Sequence, residues 1–143
     1  MSMQATLVII KPDAIQRKQM GLVLSRLEQL DLHLVGAKMV RVGRELAEEH
    51  YRDLRQKPFF RELVQQLCGE LHDVDAVLAL VYAGSDAAAK VRQVTGATNP
   101  DNADPSTIRG SLGRVRSNGW IENVIHASFN DAEAQREIPL WFE

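Results

Sequence analysis

A single cysteine stands among 143 residues, so no internal disulfide can staple the chain. That residue, Cys68, falls in the apolar pattern Phe60, Leu63, Val64, Leu67, Leu71 and reads as a small buried hydrophobe rather than a reactive thiol. No apolar run approaches the roughly 18 residues of a membrane helix and no secretory leader opens the chain, so a cytoplasmic protein with no membrane partner is expected. Charge of neither sign dominates: 17 Lys and Arg stand against 19 Asp and Glu, for a formal net charge of −2. Without a global positive field, a nucleic-acid backbone cannot be held by counterion release, and any anion has to be met by a local cluster. Glycine-rich phosphate loops are missing as well. No G-x-G-x-x-G follows the first strand and no G-x-x-x-x-G-K-[ST] occurs, which excludes a doubly wound dinucleotide fold and a P-loop. There is no internal repeat, low-complexity tract or linker at which to divide the chain.

What is present fits one domain spanning residues 1–143: 45% of the residues are hydrophobic and 25% charged. At this length about two thirds of the unfolded surface can be buried, so neither disulfide nor metal is needed for stability. Ala5 to Lys11 is a β-branched apolar run ended by Pro12, expected as a buried strand. Met20, Val23, Leu24, Leu27 and Leu30 then recur at helical spacing. Leu34 to Val42 alternates as a second strand. Helical spacing returns at Glu45 to Leu54 and from Pro58 through Leu67, with Pro58 suited to a first turn. Asp75 to Gly84 is a third strand, after which Ser85 can cap a helix that Gly96 ends. Residues 97–120 are rich in turn formers and read as a long loop, a length that usually signals function. Asn123 to Ser128 reads as a fourth strand, and Asn130 with Glu133 resembles a capping box opening the last helix. The element order implies an α+β fold, helices packed on an antiparallel-leaning sheet.

Several polar residues sit badly in a core. Lys11 ends the first strand, Arg92 lies on a helix, Thr98, Asn99 and Arg109 lie in the loop region, and Asn123 and His126 lie on the last strand. Lys11, Arg92 and Arg109 are cations of the kind that hold phosphates, the arginines as planar forks and the lysine as a point charge. Taken singly, each also fits an ordinary solvated surface charge. His126 alone fits a satisfied core or surface histidine equally well, but Glu137, eleven residues on, could accept a ring N–H and fix the tautomer.

The ordered segments KPDAIQR (11–17), HYRDLRQKPFFREL (50–63), TGATNP (95–100), STIRG (106–110) and NVIHAS (123–128) resemble the signature segments of nucleoside diphosphate kinases across nearly the whole chain. The resemblance implies a ferredoxin-like βαββαβ sheet and a ping-pong transfer of the γ-phosphoryl group from a nucleoside triphosphate to a nucleoside diphosphate through a phosphohistidine. His126 matches the phosphorylated histidine, Glu137 the acid that orients it, Ser128 the supporting serine and Tyr51 the neighbouring tyrosine. Lys11, Arg92, Thr98, Arg109 and Asn123 match phosphate and sugar contacts, and Phe59 with Leu63 matches the platform for the base. The resemblance further implies Mg²⁺ held mainly through the nucleotide phosphates, with no protein metal ligand, and a homo-oligomer of hexamer or tetramer type.

Two departures stand out. Phe129 follows Ser128 where the family commonly carries an acidic residue, and segment 110–125 is longer than in most relatives, with turn formers at Ser117, Asn118 and Gly119. These departures keep a catalytically weakened nucleotide-binding regulatory module in view. A nucleic-acid-binding domain is the other alternative, because ferredoxin-like sheets also carry RNA; the charge balance opposes it.

Overall fold

The computed structural model describes residues 3–142; Met1, Ser2 and Glu143, within the span expected as one domain, lie outside the described residues. In chain order the elements are β1 (Met3–Ile10), α1 (Pro12–Gln16), α2 (Met20–Glu28), β2 (His33–Val40), α3 (Arg44–His50), α4 (Phe60–Leu67), β3 (Val77–Ser85), α5 (Ala87–Thr95), α6 (Ile108–Leu112), β4 (Arg114–Val115), β5 (Ile121–Glu122), β6 (Ile125–Ala127) and α7 (Asp131–Trp141). The main sheet runs β2-β3-β1-β6. Every neighbouring pair in it is antiparallel, the ferredoxin-like α+β arrangement.

β1 is apolar without alternation because helices cover both faces of the sheet at its centre. Val8 and Ile10 face Val23 and Leu27 of α2, Val91 of α5 and Ile108 of α6. Leu7 and Ile9 face the other way, onto Ala47 of α3, Val64 and Leu67 of α4, and Trp141 of α7. All four strand residues are completely buried. Truncating Leu7, Ile9 or Ile10 to alanine removes packing worth about 2–5 kcal/mol.

Several elements differ from expectation for local reasons. The helix expected over Glu45 to Leu54 ends at His50, and Arg52–Leu54 forms a separate 3₁₀ turn. Pro58 precedes α4 instead of occupying its first turn; Phe59 is the N-cap. The N-cap of α5 is Asp86, in the left-handed region at φ 52°, while Ser85 ends β3. Gly96 does end α5, at φ 92°, and Asn130 Oδ1 does accept the Glu133 N–H at 2.9 Å. Residues 97–120 are not one loop: they contain a 3₁₀ turn at Pro100–Asn102, α6, and the short β4 that pairs with β5. α6 is too short to show a helical period, yet Thr107 caps it by accepting the Gly110 N–H at 3.1 Å. Cys68 is half-buried at the end of α4, and burial raises its thiol pKa, which keeps it protonated and unreactive.

Candidate active site

The fourth strand is shorter than expected, and its missing start builds the site. Ile125 N donates to Asn123 O at 2.8 Å across Val124, whose φ is +76°. This is a γ-turn with its central residue in a strained region, and a β-branched residue there persists only if its surroundings over-determine it. They do so here. The wholly buried Asp13 accepts the Val124 N–H through Oδ2 at 3.0 Å, and Lys11 N donates to Val124 O at 2.9 Å. The end of β1 thus grips the turn, and β6 departs from it with His126 opposite Ile9.

The turn also sets the cations. Lys11, 3% exposed, donates from Nζ to Asn123 Oδ1 at 2.7 Å and to Gln66 Oε1 at 3.4 Å. An ammonium has three donors, so one remains for an anion. Burial lowers the Lys11 pKa to about 8, the nearby Asp13 charge opposing the shift and Arg109 adding to it. Arg109, on α6, ties the turn together by donating Nε to Asn123 O at 3.2 Å, Nη1 to Gly96 O at 3.3 Å and Nη2 to Ile125 O at 2.8 Å. Burial, and then the charge of Arg92, brings the Arg109 pKa down to about 10. Asn123 completes the chain by donating Nδ2 to the Thr98 carbonyl at 3.1 Å.

His126 is oriented from behind. Its Nε2 lies 2.9 Å from Glu137 Oε1, and the same oxygen accepts the Ser128 hydroxyl at 2.7 Å. Ser128 Oγ in turn accepts the Leu7 N–H at 3.2 Å, which anchors the arrangement to β1. Burial alone would raise the Glu137 pKa, but the hydrogen bonds from His126 and Ser128 together with the charges of His126 and Arg136 bring it below its ordinary value. An ionised carboxylate only accepts, so Nε2 carries a proton, and in the neutral ring Nδ1 is the nitrogen with the lone pair.

A second histidine, His50, packs edge-on against His126 with ring centroids 4.3 Å apart. Trp141 Nε1 donates to His50 Nδ1 at 3.1 Å, which puts the His50 proton on Nε2. Burial, the His126 charge, and then Arg136 and Lys11 hold its pKa well below the usual histidine value, so His50 is neutral. Tyr51 meets His50 edge to face, ring centroids 4.8 Å apart, and burial raises its phenol pKa.

These groups surround a cleft of about 740 Å³, within the range of small-molecule sites. Lys11, Arg92, Arg109 and Asn123 line its floor with His126 and Glu137, and Thr98 and Tyr51 lie at its walls. Ser128 alone of the expected residues stays behind the wall, under Glu137. Phe59, 47% exposed, and Leu63 form an apolar wall at the start of α4. Gly119 and Ile121 of the β4–β5 hairpin form a lip of the same cleft. The hairpin is tied down by Gln66 Nε2, which donates to Ile121 O at 2.7 Å, and by wholly buried Glu122, which pairs with His72 at 2.8 Å and accepts Arg114 Nε at 2.7 Å.

Asp13, His50, Gln66 and Arg136 were not singled out from the sequence. Asp13 and His50 lie inside the quoted segments and differ from other polar residues only by burial, which spacing does not reveal. His50, His126 and Glu137 each offer a ligand atom within 4.8 Å of the others. That set suits a hard oxygen-seeking cation poorly: two members are imidazoles, and the Glu137 oxygen already accepts two hydrogen bonds.

Residues 4–143 match the model of the family described as Nucleoside diphosphate kinase. The nucleoside diphosphate kinase of Symbiobacterium thermophilum is 45% identical over 140 residues, 98% of this chain and 87% of that protein. That of Pyrococcus abyssi is 45% identical over 139 residues, 97% of this chain and 84% of that protein. Among solved structures, the transition-state mimic of the Borrelia burgdorferi nucleoside-diphosphate kinase with bound vanadate and ADP superposes with a TM-score of 0.88 at 38% identity, covering 99% of this chain and 88% of that one. The Halobacterium salinarum enzyme in complex with CDP gives 0.87 at 40% identity, with 99% and 89% covered. The chain therefore belongs to the nucleoside diphosphate kinase family.

Proposed function

We propose that the chain moves the γ-phosphoryl group of a nucleoside triphosphate to a nucleoside diphosphate in two steps through Nδ1 of His126. The observation that carries this reading is the Glu137 bond to Nε2, because it leaves Nδ1 as the nitrogen with a free lone pair, in a cleft shared with Lys11, Arg92 and Arg109. In the first step the Nδ1 lone pair attacks the γ-phosphorus in line, the bond to the bridging oxygen breaks, and the nucleoside diphosphate leaves. In the second, an oxygen of the acceptor's terminal phosphate attacks the phosphohistidine and Nδ1 recovers its pair. Glu137 stabilises the positive charge that the ring gains when Nδ1 is bonded to phosphorus.

Phosphoryl transfer passes through a loose transition state, so positioning and charge neutralisation are the protein's main tasks. Lys11, Arg92 and Arg109 supply positive charge from side chains, which accounts for a sequence without a phosphate-binding glycine loop. Thr98 and Asn123 are assigned to polar contacts with phosphate or sugar, and Tyr51 to the approach of the phosphoryl group. Phe59 and Leu63 support the base. A flat aromatic stacks on every base and distinguishes them little. Mg²⁺ enters as part of the nucleotide substrate and neutralises charge on its phosphates.

We assign the chain to the cytoplasm as one functional unit that self-associates into a hexamer or tetramer. The exposed apolar residues Leu34, Val35 and Met39 on the edge strand β2 support self-association, since edge strands with such residues are normally covered.

Initial rates of diphosphate phosphorylation at several fixed donor concentrations test the reading. Parallel double-reciprocal lines are expected. Nucleotide binding with turnover at background would instead favour a regulatory module.

A further inference from the structure

Phe129 is an aromatic left 69% exposed in the wall of the cleft, immediately after Ser128 and one residue before the N-cap of α7. Exposing that much apolar surface is unfavourable, and the strand and helix on either side give no reason for it. Its neighbour does. The Arg92 guanidinium carbon sits over the ring, 5.3 Å from the centroid, inside the roughly 6 Å at which a ring quadrupole attracts a cation.

Arg92 has little else to hold it. Its Nη1 reaches the Ala127 carbonyl at 3.4 Å, a long hydrogen bond, and among the described residues no carboxylate forms an ion pair with it. Arg109 is a like charge near enough to feel its field. The two like charges repel, and that works against keeping the Arg92 side chain at this end of the cleft. A carboxylate beside Arg92 would oppose that repulsion but would also neutralise the charge that an incoming phosphate needs. A ring face attracts the guanidinium and leaves its charge and its N–H donors available.

We infer that Phe129 is a positioning residue, its ring face holding the Arg92 guanidinium at the phosphate end of the cleft with its charge unpaired. This rests on the assignment of Arg92 to phosphate binding. The interaction has the strength of an exposed cation–π contact, so its loss weakens nucleotide binding about two- to fivefold.

The test is the dissociation constant for MgADP by calorimetry, with kcat and melting temperature, for the unaltered protein, Phe129→Leu, Phe129→Trp, Arg92→Ala and the Phe129→Leu/Arg92→Ala pair. Leucine keeps apolar bulk without a π face, and tryptophan keeps the face. Phe129→Leu is expected to weaken MgADP by about two- to fivefold with melting temperature unchanged, Phe129→Trp to bind as the unaltered protein does, and Phe129→Leu to add nothing once Arg92 is alanine. Equal weakening by Phe129→Leu in both backgrounds would overturn the inference, because the ring would then be touching the nucleotide itself. So would unchanged binding in Phe129→Leu beside a weakened Arg92→Ala. Unchanged binding in Arg92→Ala would remove the phosphate assignment, and the inference with it.

Discussion

Nε2 of His126 lies 2.9 Å from Oε1 of Glu137, which also accepts the Ser128 hydroxyl. In the proposed relay the carboxylate fixes which nitrogen is free and stabilises the ring when it carries the phosphoryl group. Glu137→Gln removes that charge and lets an amide N–H compete for Nε2, stabilising the other tautomer. Single-turnover phosphorylation is expected to slow by up to about 10⁴-fold, the cost of holding a catalytic histidine in the wrong tautomer, with MgADP affinity nearly unchanged. An unaltered rate would show that the carboxylate does not orient the nucleophile.

Lys11 gives the site a basic limb. Its pKa in the folded protein is about 8 because burial disfavours the ammonium, so the cation is lost as pH rises through that value. The kcat/KM profile, which reports the free enzyme, is expected to fall above pH about 8. Lys11→Arg, which keeps its charge, is expected to move that limb to higher pH even if the maximum is lower. A limb that stays in place in Lys11→Arg would assign it to another group.

His50 makes the fold acid-sensitive. Its folded pKa lies well below 6.5, so below that pH the unfolded chain binds a proton that the native state refuses, and stability falls as pH falls. The slope approaches about 1.4 kcal/mol per pH unit at its steepest. Denaturant midpoints at pH 7 and pH 5 are expected to differ less in His50→Phe than in the unaltered protein. Equal differences would mean that His50 titrates alike in both states.

Asp13 holds the strained turn. Asp13→Ala removes the acceptor of the Val124 N–H, leaves that donor buried and lets φ of Val124 relax, at a cost of about 1–3 kcal/mol. Because the same turn carries Asn123 and aims β6, kcat is expected to fall along with the denaturation midpoint. Asp13→Asn, whose amide oxygen can still accept, is expected to retain most of both. A fall in stability with full activity would separate the turn from the nucleophile.

How far the sequence speaks for itself depends on the range of the interactions involved. β1 and α2 were legible because a continuous β-branched run and a 3.6-residue period are local patterns, and the Asn130 cap was legible from residue type alone. The site residues Lys11, Arg92, Arg109, His126 and Glu137 were individually ambiguous as surface charges; only the ordered motifs of a known family joined them. α6 escaped notice because five residues cannot display a period. The γ-turn at Val124 has no local signature and looks like strand in the sequence, because its strain is supported by Asp13, 111 positions away. His50 is silent in the sequence for the same reason: its neutral state follows from burial against Trp141 and His126. The apolar alternation in β2 was visible, but not that Val35 and Met39 remain exposed at an edge.

The relay through His126 is tested most directly by isolating the protein after incubation with Mg²⁺ and a nucleoside triphosphate, without acceptor, and locating the phosphoryl group by ³¹P and ¹⁵N NMR. Phosphorus on Nδ1 of His126, discharged when a nucleoside diphosphate is added and missing from His126→Ala, is the predicted result. A protein that turns over yet carries no phosphoryl group, or carries it on Nε2 or another residue, would contradict the account.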